Sequence, residues 1–306
     1  MNKSLKIASP WKQLGLFLLL LGGALVLTTV ISAGILLSKT GLQGAAKGIS
    51  FDNPELIGTL KLVQAISSVT IFLLPAIAFG FFTTREKPLD FIGFKPAQQT
   101  SFYLVGTAIL LLSFPLQGWL GEFNRHLDLP KWAVDMENDA TRQIEAFLKT
   151  ESKFDVIINV IVIALIPAIC EEACFRGAFQ RILINIFKNP WAGITATALF
   201  FSAFHMQFLG FLPRFFMGVL LGAVYWYSGS LWTSIIAHFF VNGVQVVAVA
   251  WYPNMAKEDP TVPAWLALGS LVVVVALLMF MIRRSRTTYA AVYESYPADP
   301  FGGFPS

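Results

Sequence analysis

Two adjacent carboxylates, Glu171 and Glu172, stand inside an apolar stretch that reads IPAICEEACFRGAF. Arg176 follows Glu172 by four residues, so on a helix the two share a face and can pair, while Glu171, about 100° away, faces elsewhere. Two of the three histidines, His205 and His238, also fall in apolar runs. Asn242 lies one helical turn after His238, on the same face. A glutamate beside a histidine can act as a general base on water. A second histidine and an asparagine can donate hydrogen bonds to a developing oxyanion. Two histidines and a glutamate also match the three-ligand-plus-water pattern of catalytic zinc, which makes Glu171, His205 and His238 the candidate ligands. Both routes end in hydrolysis of an acyl bond. The usual helix-borne HExxH zinc motif does not occur in the sequence.

The elements that must position these groups are membrane helices. Of the 306 residues, 56% are hydrophobic and 13% charged, against roughly 45–50% and 25% in an ordinary soluble domain. The mean hydropathy is +0.65. The expected fold is all-α, a polytopic membrane bundle of about eight spans, each near the 20 residues a bilayer requires. The spans are Leu14–Leu37, Leu56–Phe82, Phe102–Leu120, Phe154–Ala173, Trp191–His205, Phe211–Tyr227, Leu231–Ala250 and Ala264–Ile282. Pro75, Pro115 and Pro167 are candidate helix breaks.

The chain divides into five parts. Residues 1–55 hold the first helix and a loop, and 56–153 the second and third helices with an exterior loop from Gly121 to Lys153. Residues 154–250 form a catalytic membrane core, 251–285 the last helix, and 286–306 a Pro- and Gly-rich disordered cytoplasmic tail. Lys and Arg gather in the short loops of one side, which places both termini in the cytoplasm of a cell-membrane protein. The modest charge of +4, with no basic patch interleaved with aromatics, excludes nucleic acid as a partner. Cys170 and Cys174 share a helix face and read as packing residues rather than a disulfide. His126 reads as a surface histidine of the exterior loop.

Helical periodicity continues past Ala173 to Phe187, and Lys188-Asn189-Pro190 is the natural turn. Glu171 lies 18 residues before Asn189 and His205 lies 16 after it. In an antiparallel hairpin they meet within about 3 Å of the same depth.

Together the motifs EExxxR (Glu171 to Arg176), FxxxH (Phe201 to His205) and HxxxN (His238 to Asn242) resemble the CPBP family of CAAX proteases and bacteriocin-processing enzymes. The resemblance covers Phe154 to Val249, and the LDFIGFKP segment is similar to that family's approach to its core. It implies an intramembrane endopeptidase acting on membrane-associated or CAAX-like peptides or proteins. By the same implication Glu171, helped by His205, activates water, and His238 and Asn242 bind the oxyanion or help hold a metal. Glu172 and Arg176 support the site. A bound zinc and an ion-free glutamate mechanism are the two alternatives for the cofactor. The competing functional readings are a non-catalytic scaffold or bacteriocin self-immunity partner, and a transporter.

Overall fold

The computed structural model describes residues 5–46, 51, 53–150, 152–253 and 261–294. Its elements are α-helical throughout. They are α1 Pro10–Ala46, α2 Pro54–Thr83, the short α3 Pro88–Phe91, α4 Ser101–Arg125, α5 Lys131–Leu148, α6 Lys153–Phe187, α7 Pro190–Phe204, α8 Phe211–Ser228, α9 Leu231–Trp251 and α10 Ala264–Arg284. Among the described residues, six helices (α1, α2, α4, α6, α9 and α10) are long and apolar enough to cross a membrane. The count of eight is therefore not reached by that measure. The two remaining expected spans are present as α7, which is apolar but shorter, and α8. They run back to back beside α6, so they have protein rather than lipid on one side.

The expected exterior loop is corrected. Its first residues finish α4, and α5 fills most of the rest. The helix is amphipathic, with Ala133 and Phe147 buried and Asp135, Asp139 and Glu145 exposed. The expected disordered tail is corrected over its first part as well. Residues 287–294 are ordered, ending in the turn Ala290–Glu294. Tyr293 stacks on Trp226 at 6.3 Å and donates a 2.7 Å hydrogen bond to the carbonyl of Arg181. The remainder, 295–306, lies outside the described residues, as does Lys3.

Each proline of the spans sits where the helix changes. Pro75 follows a π-helical turn at Val69–Leu73, Pro115 follows the break at Ser113, and Pro167 follows a π-helical turn at Val160–Leu165. A proline lacks the N–H for the residue four back and its ring crowds that carbonyl, so the preceding turn widens. A third π-helical stretch, Ala173–Gln180, carries Arg176.

One end of the bundle gathers the basic loops. Leu5 bridges Thr84, Lys6 N donates to the Thr83 carbonyl at 2.9 Å, and Gln99 Nε2 donates to the Arg284 carbonyl at 2.9 Å. The hairpin between α6 and α7 turns at the same end. Lys188 takes a left-handed φ of 54° there, and the Asn189 side chain accepts from the N–H of Ala192. At Gly193 the two helices touch backbone to backbone. A Cβ there would lie 2.7 Å from the Ile184 nitrogen and 2.8 Å from its Cα. Gly193→Ala must therefore push α7 off α6, at a cost of about 1–3 kcal/mol. The expected outcome is a lower thermal midpoint in detergent and weaker activity, because the hairpin sets the approach of His205 to Glu171. An unchanged midpoint would contradict this packing.

Candidate active site

Glu171 and Glu172 separate into two environments. Glu172 is fully buried, and its Oε1 accepts hydrogen bonds from Arg176 Nη1 at 2.6 Å and from His238 Nδ1 at 2.9 Å. Arg176 is fully buried too. Its Nη2 donates to the carbonyl of Gly218 on α8 at 3.2 Å. One turn on, Gln180 Nε2 donates to the carbonyl of Gly222 at 3.0 Å. Two polar side chains one turn apart on α6 thus clip two carbonyls one turn apart on α8. Gly222 lets the two helices approach, since a Cβ there would meet Gln180 Oε1 at 2.5 Å, while a Cβ at Gly218 would meet Ala198 Cβ of α7 at 3.0 Å.

Glu171 has no such clamp. Its side chain is 12% exposed and faces His205 Nε2 at 4.0 Å, with His205 29% exposed. His205 Nδ1 donates to the carbonyl of Phe201, four residues back, at 2.8 Å. That hydrogen bond assigns the proton to Nδ1 and leaves Nε2 bare, toward Glu171. Phe201 has a second task. Its ring carries the Arg176 guanidinium at 4.5 Å and meets His205 at 4.9 Å and His238 at 6.1 Å between centroids. The four-residue spacing of the FxxxH motif therefore joins the buried ion pair to the reachable histidine.

Of the six residues singled out in the sequence, four pair as expected: Glu172 with Arg176, and Glu171 with His205. His238 goes to Glu172, a contact the sequence reading did not include. Asn242 Nδ2 reaches the carbonyl of Ile163 at 3.5 Å, at the long limit of a hydrogen bond. Ile163 is four residues before Pro167, so this is the carbonyl that Pro167 cannot bond. The Nδ1 of His238 and the amide of Asn242 are thus engaged with α6.

Three further residues escaped the sequence reading. Asn124 on α4 holds the segment after His205 from both sides, donating to the Phe208 carbonyl at 2.6 Å and accepting from the Leu212 N–H at 3.2 Å. Glu137 on α5 accepts from the Leu209 N–H at 3.2 Å. Arg214 on α8 donates to the Gln207 side chain at 2.7 Å. No motif spacing links these residues to Glu171. They arrive through the tertiary fold.

The fit to a metal is poor. Among the described residues no three His, Cys, Asp or Glu side chains converge closely enough to hold an ion. The candidate set Glu171, His205 and His238 does not form such a group, and His238 belongs to the Glu172 pair. Cys170 and Cys174 are buried free thiols, as expected.

Residues 153–244 match the family model described as type II CAAX prenyl endopeptidase Rce1-like. That stretch contains all six residues above. Among curated proteins, the uncharacterized protein YpbD of Bacillus subtilis (strain 168) is 30% identical over 92 residues, 29% of this chain and 44% of that protein. The matched stretch is thus less than half the length of that relative. No solved structure matches the chain. The family resemblance carried by the motifs is borne out over this core. A helical integral membrane protein with a core similar to membrane proteases follows from the match and the apolar helices together.

Proposed function

Starting from a core that matches the Rce1-like family of CAAX-type membrane proteases over residues 153–244, we propose that the chain is an intramembrane endopeptidase working by glutamate-activated water. The observation that carries this is the separation of the two carboxylates. One is locked in a buried ion pair, and the other stands reachable, 4.0 Å from His205 Nε2, the nitrogen that the Nδ1 hydrogen bond leaves free in the neutral ring.

In this mechanism a water between the two groups donates one hydrogen bond to Glu171 and the other to His205 Nε2. At 4.0 Å the pair has room to adjust as substrate enters, since catalytic hydrogen bonds are often long before substrate binds. Glu171 takes the proton as the water oxygen attacks the scissile carbonyl carbon, then returns it to the leaving amine. Arg214 lies near enough to offset negative charge as it develops. Glu172, Arg176 and His238 hold α6, α8 and α9 in register. His238 and Asn242 remain the proposed oxyanion donors, and in that role each must exchange part of its present partner for the substrate. The substrate class is a membrane-associated or CAAX-like peptide. The proposed setting is the cell membrane, with both termini and the basic end in the cytoplasm.

No step passes through a metal. Purified enzyme is expected to keep full cleavage of a membrane peptide after exhaustive chelation, with bound zinc far below stoichiometric by elemental analysis. Loss of activity on chelation with recovery on added zinc would replace this mechanism with a metal-dependent one. His205→Gln is expected to lower kcat by about 10²-fold or more, with the melting midpoint kept. A kcat at the wild-type level would remove His205 from the reaction.

A further inference from the structure

The basic end of the bundle contains a second constructed site, which shares no residue with the Glu171 group. Two adjoining cavities of about 350 Å³ and 560 Å³ lie there, with Asp90, Lys95 and Arg181 in the walls of both. The ordered C-terminal turn forms another common wall through Val292 and Tyr293. The smaller cavity adds Arg286, so three cations face the single carboxylate of Asp90 there, while the larger adds one more cation, Lys87, and one more carboxylate, Glu86. The Asp90 carboxylate is partly committed to Lys87, 3.9 Å away. Among the described residues, neither Lys95 nor Arg181 has a carboxylate within 4.0 Å.

Arg181 is held in place by aromatic rings, and Lys95, whose side chain is exposed, is fixed at its backbone. Arg181 lies over the Phe91 ring at 4.2 Å and the Tyr293 ring at 5.5 Å. Lys95 is anchored through its own carbonyl, which accepts from Ser230 Oγ at 2.5 Å. Partial burial and the neighbouring Arg181 push the Lys95 ammonium below its usual range, while Asp90 opposes the shift. Two facing cations kept together without a matching carboxylate repel each other, and an anion between them would relieve that repulsion. A planar guanidinium beside a point-like ammonium suits a phosphate group. The cavities lie at the ends of the apolar helices, where Arg286 follows α10, and next to Trp226, which suits a headgroup position.

We propose that this double cavity binds a phosphate group, that of an anionic phospholipid headgroup, with Lys95 and Arg181 as its principal partners. Inorganic phosphate offers the same chemistry, and the test separates the two sources. Full-length protein in a non-ionic detergent would be given phosphatidylglycerol, phosphatidylcholine or inorganic phosphate, with bound lipid read by native mass spectrometry and stability by thermal unfolding. Wild type is expected to retain phosphatidylglycerol over phosphatidylcholine. Lys95→Gln should weaken that retention about fivefold and Lys95→Glu roughly thirtyfold, one and two elementary charges at a charged interface. The Lys95 side chain is exposed, so both variants should fold. Arg181→Gln, which also loses two ring contacts, is a second variant to be compared at matched stability. Equal retention of both lipids, with phosphate raising the midpoint of wild type but not of Lys95→Glu, would support the site with a free anion as its occupant. Equal behaviour of wild type and Lys95→Glu toward every ligand would overturn the proposal.

Discussion

Glu171→Gln is expected to lose peptide cleavage by at least about 10²–10⁴-fold in kcat, the usual range for removing a general base, while the protein folds as before. Glutamine has the shape of glutamate and still hydrogen bonds, but it cannot take a proton from water. Glu171 has no ion-pair partner closer than His205 at 4.0 Å. Removing its charge therefore orphans nothing, and it ends the cost of holding a carboxylate among membrane helices. The melting midpoint should stay level or rise slightly. KM should change little, because the carboxylate acts on water rather than on the peptide's remote contacts. The readouts are single-turnover cleavage of a membrane peptide in detergent and, in cells, accumulation of uncleaved membrane peptides. Wild-type kcat in this variant would sink the assignment of Glu171 and with it the proposed mechanism.

Arg176→Leu should show the reverse pattern, with stability lost first. The guanidinium is fully buried, pairs with Glu172 at 2.6 Å, donates to the Gly218 carbonyl and lies over the Phe201 ring. Removing one member of a buried pair leaves the other charge without its compensation, a loss of about 3–5 kcal/mol. Here the orphaned Glu172 keeps only the hydrogen bond from His238, and α6 loses one of its two clips to α8. That is a large fraction of a typical folding free energy, so poor membrane accumulation and a sharply lower midpoint are expected. Arg176→Lys should not rescue it, because one ammonium cannot reach Glu172 and Gly218 with the fork geometry of a guanidinium. A midpoint within error of wild type would mean that the pair does not pin these helices. The contrast is diagnostic: the Glu171 variant should be stable and inactive, and the Arg176 variant unstable whatever its activity.

Much of the hairpin was legible beforehand because its information is local. Lys188, Asn189 and Pro190 mark a turn by their own backbone preferences. Counting outward from that turn brings Glu171 and His205 together, since helix rise is constant. The Glu172–Arg176 pair follows from i,i+4 spacing alone. The reading faltered where a signal was diluted. Helix α5 was taken for loop because its many carboxylates hide two buried positions, Ala133 and Phe147. Residues 287–294 were taken for tail because Tyr289 and Tyr293, one turn apart, are outweighed by the Pro- and Gly-rich residues after them.

Composition, periodicity and turn chemistry by themselves determined a helical membrane protein, the depth of its polar residues and the identity of the two carboxylates. They act within one helix or across one turn, where geometry is set by the backbone. Only the tertiary structure decided how the Glu172–Arg176 pair is clamped between helices, with His238 on its carboxylate and α8 against its helix. That depends on the rotation of α9, whose Leu231 N–H is held by the Gly93 carbonyl at 2.8 Å, bringing His238 to Glu172 across 66 residues of chain. It depends equally on Gly222, whose missing side chain leaves room for Gln180 to reach the α8 backbone. The rotation of one helix against another is a packing property, set by side chains far apart in the chain, and no spacing in the sequence carries it.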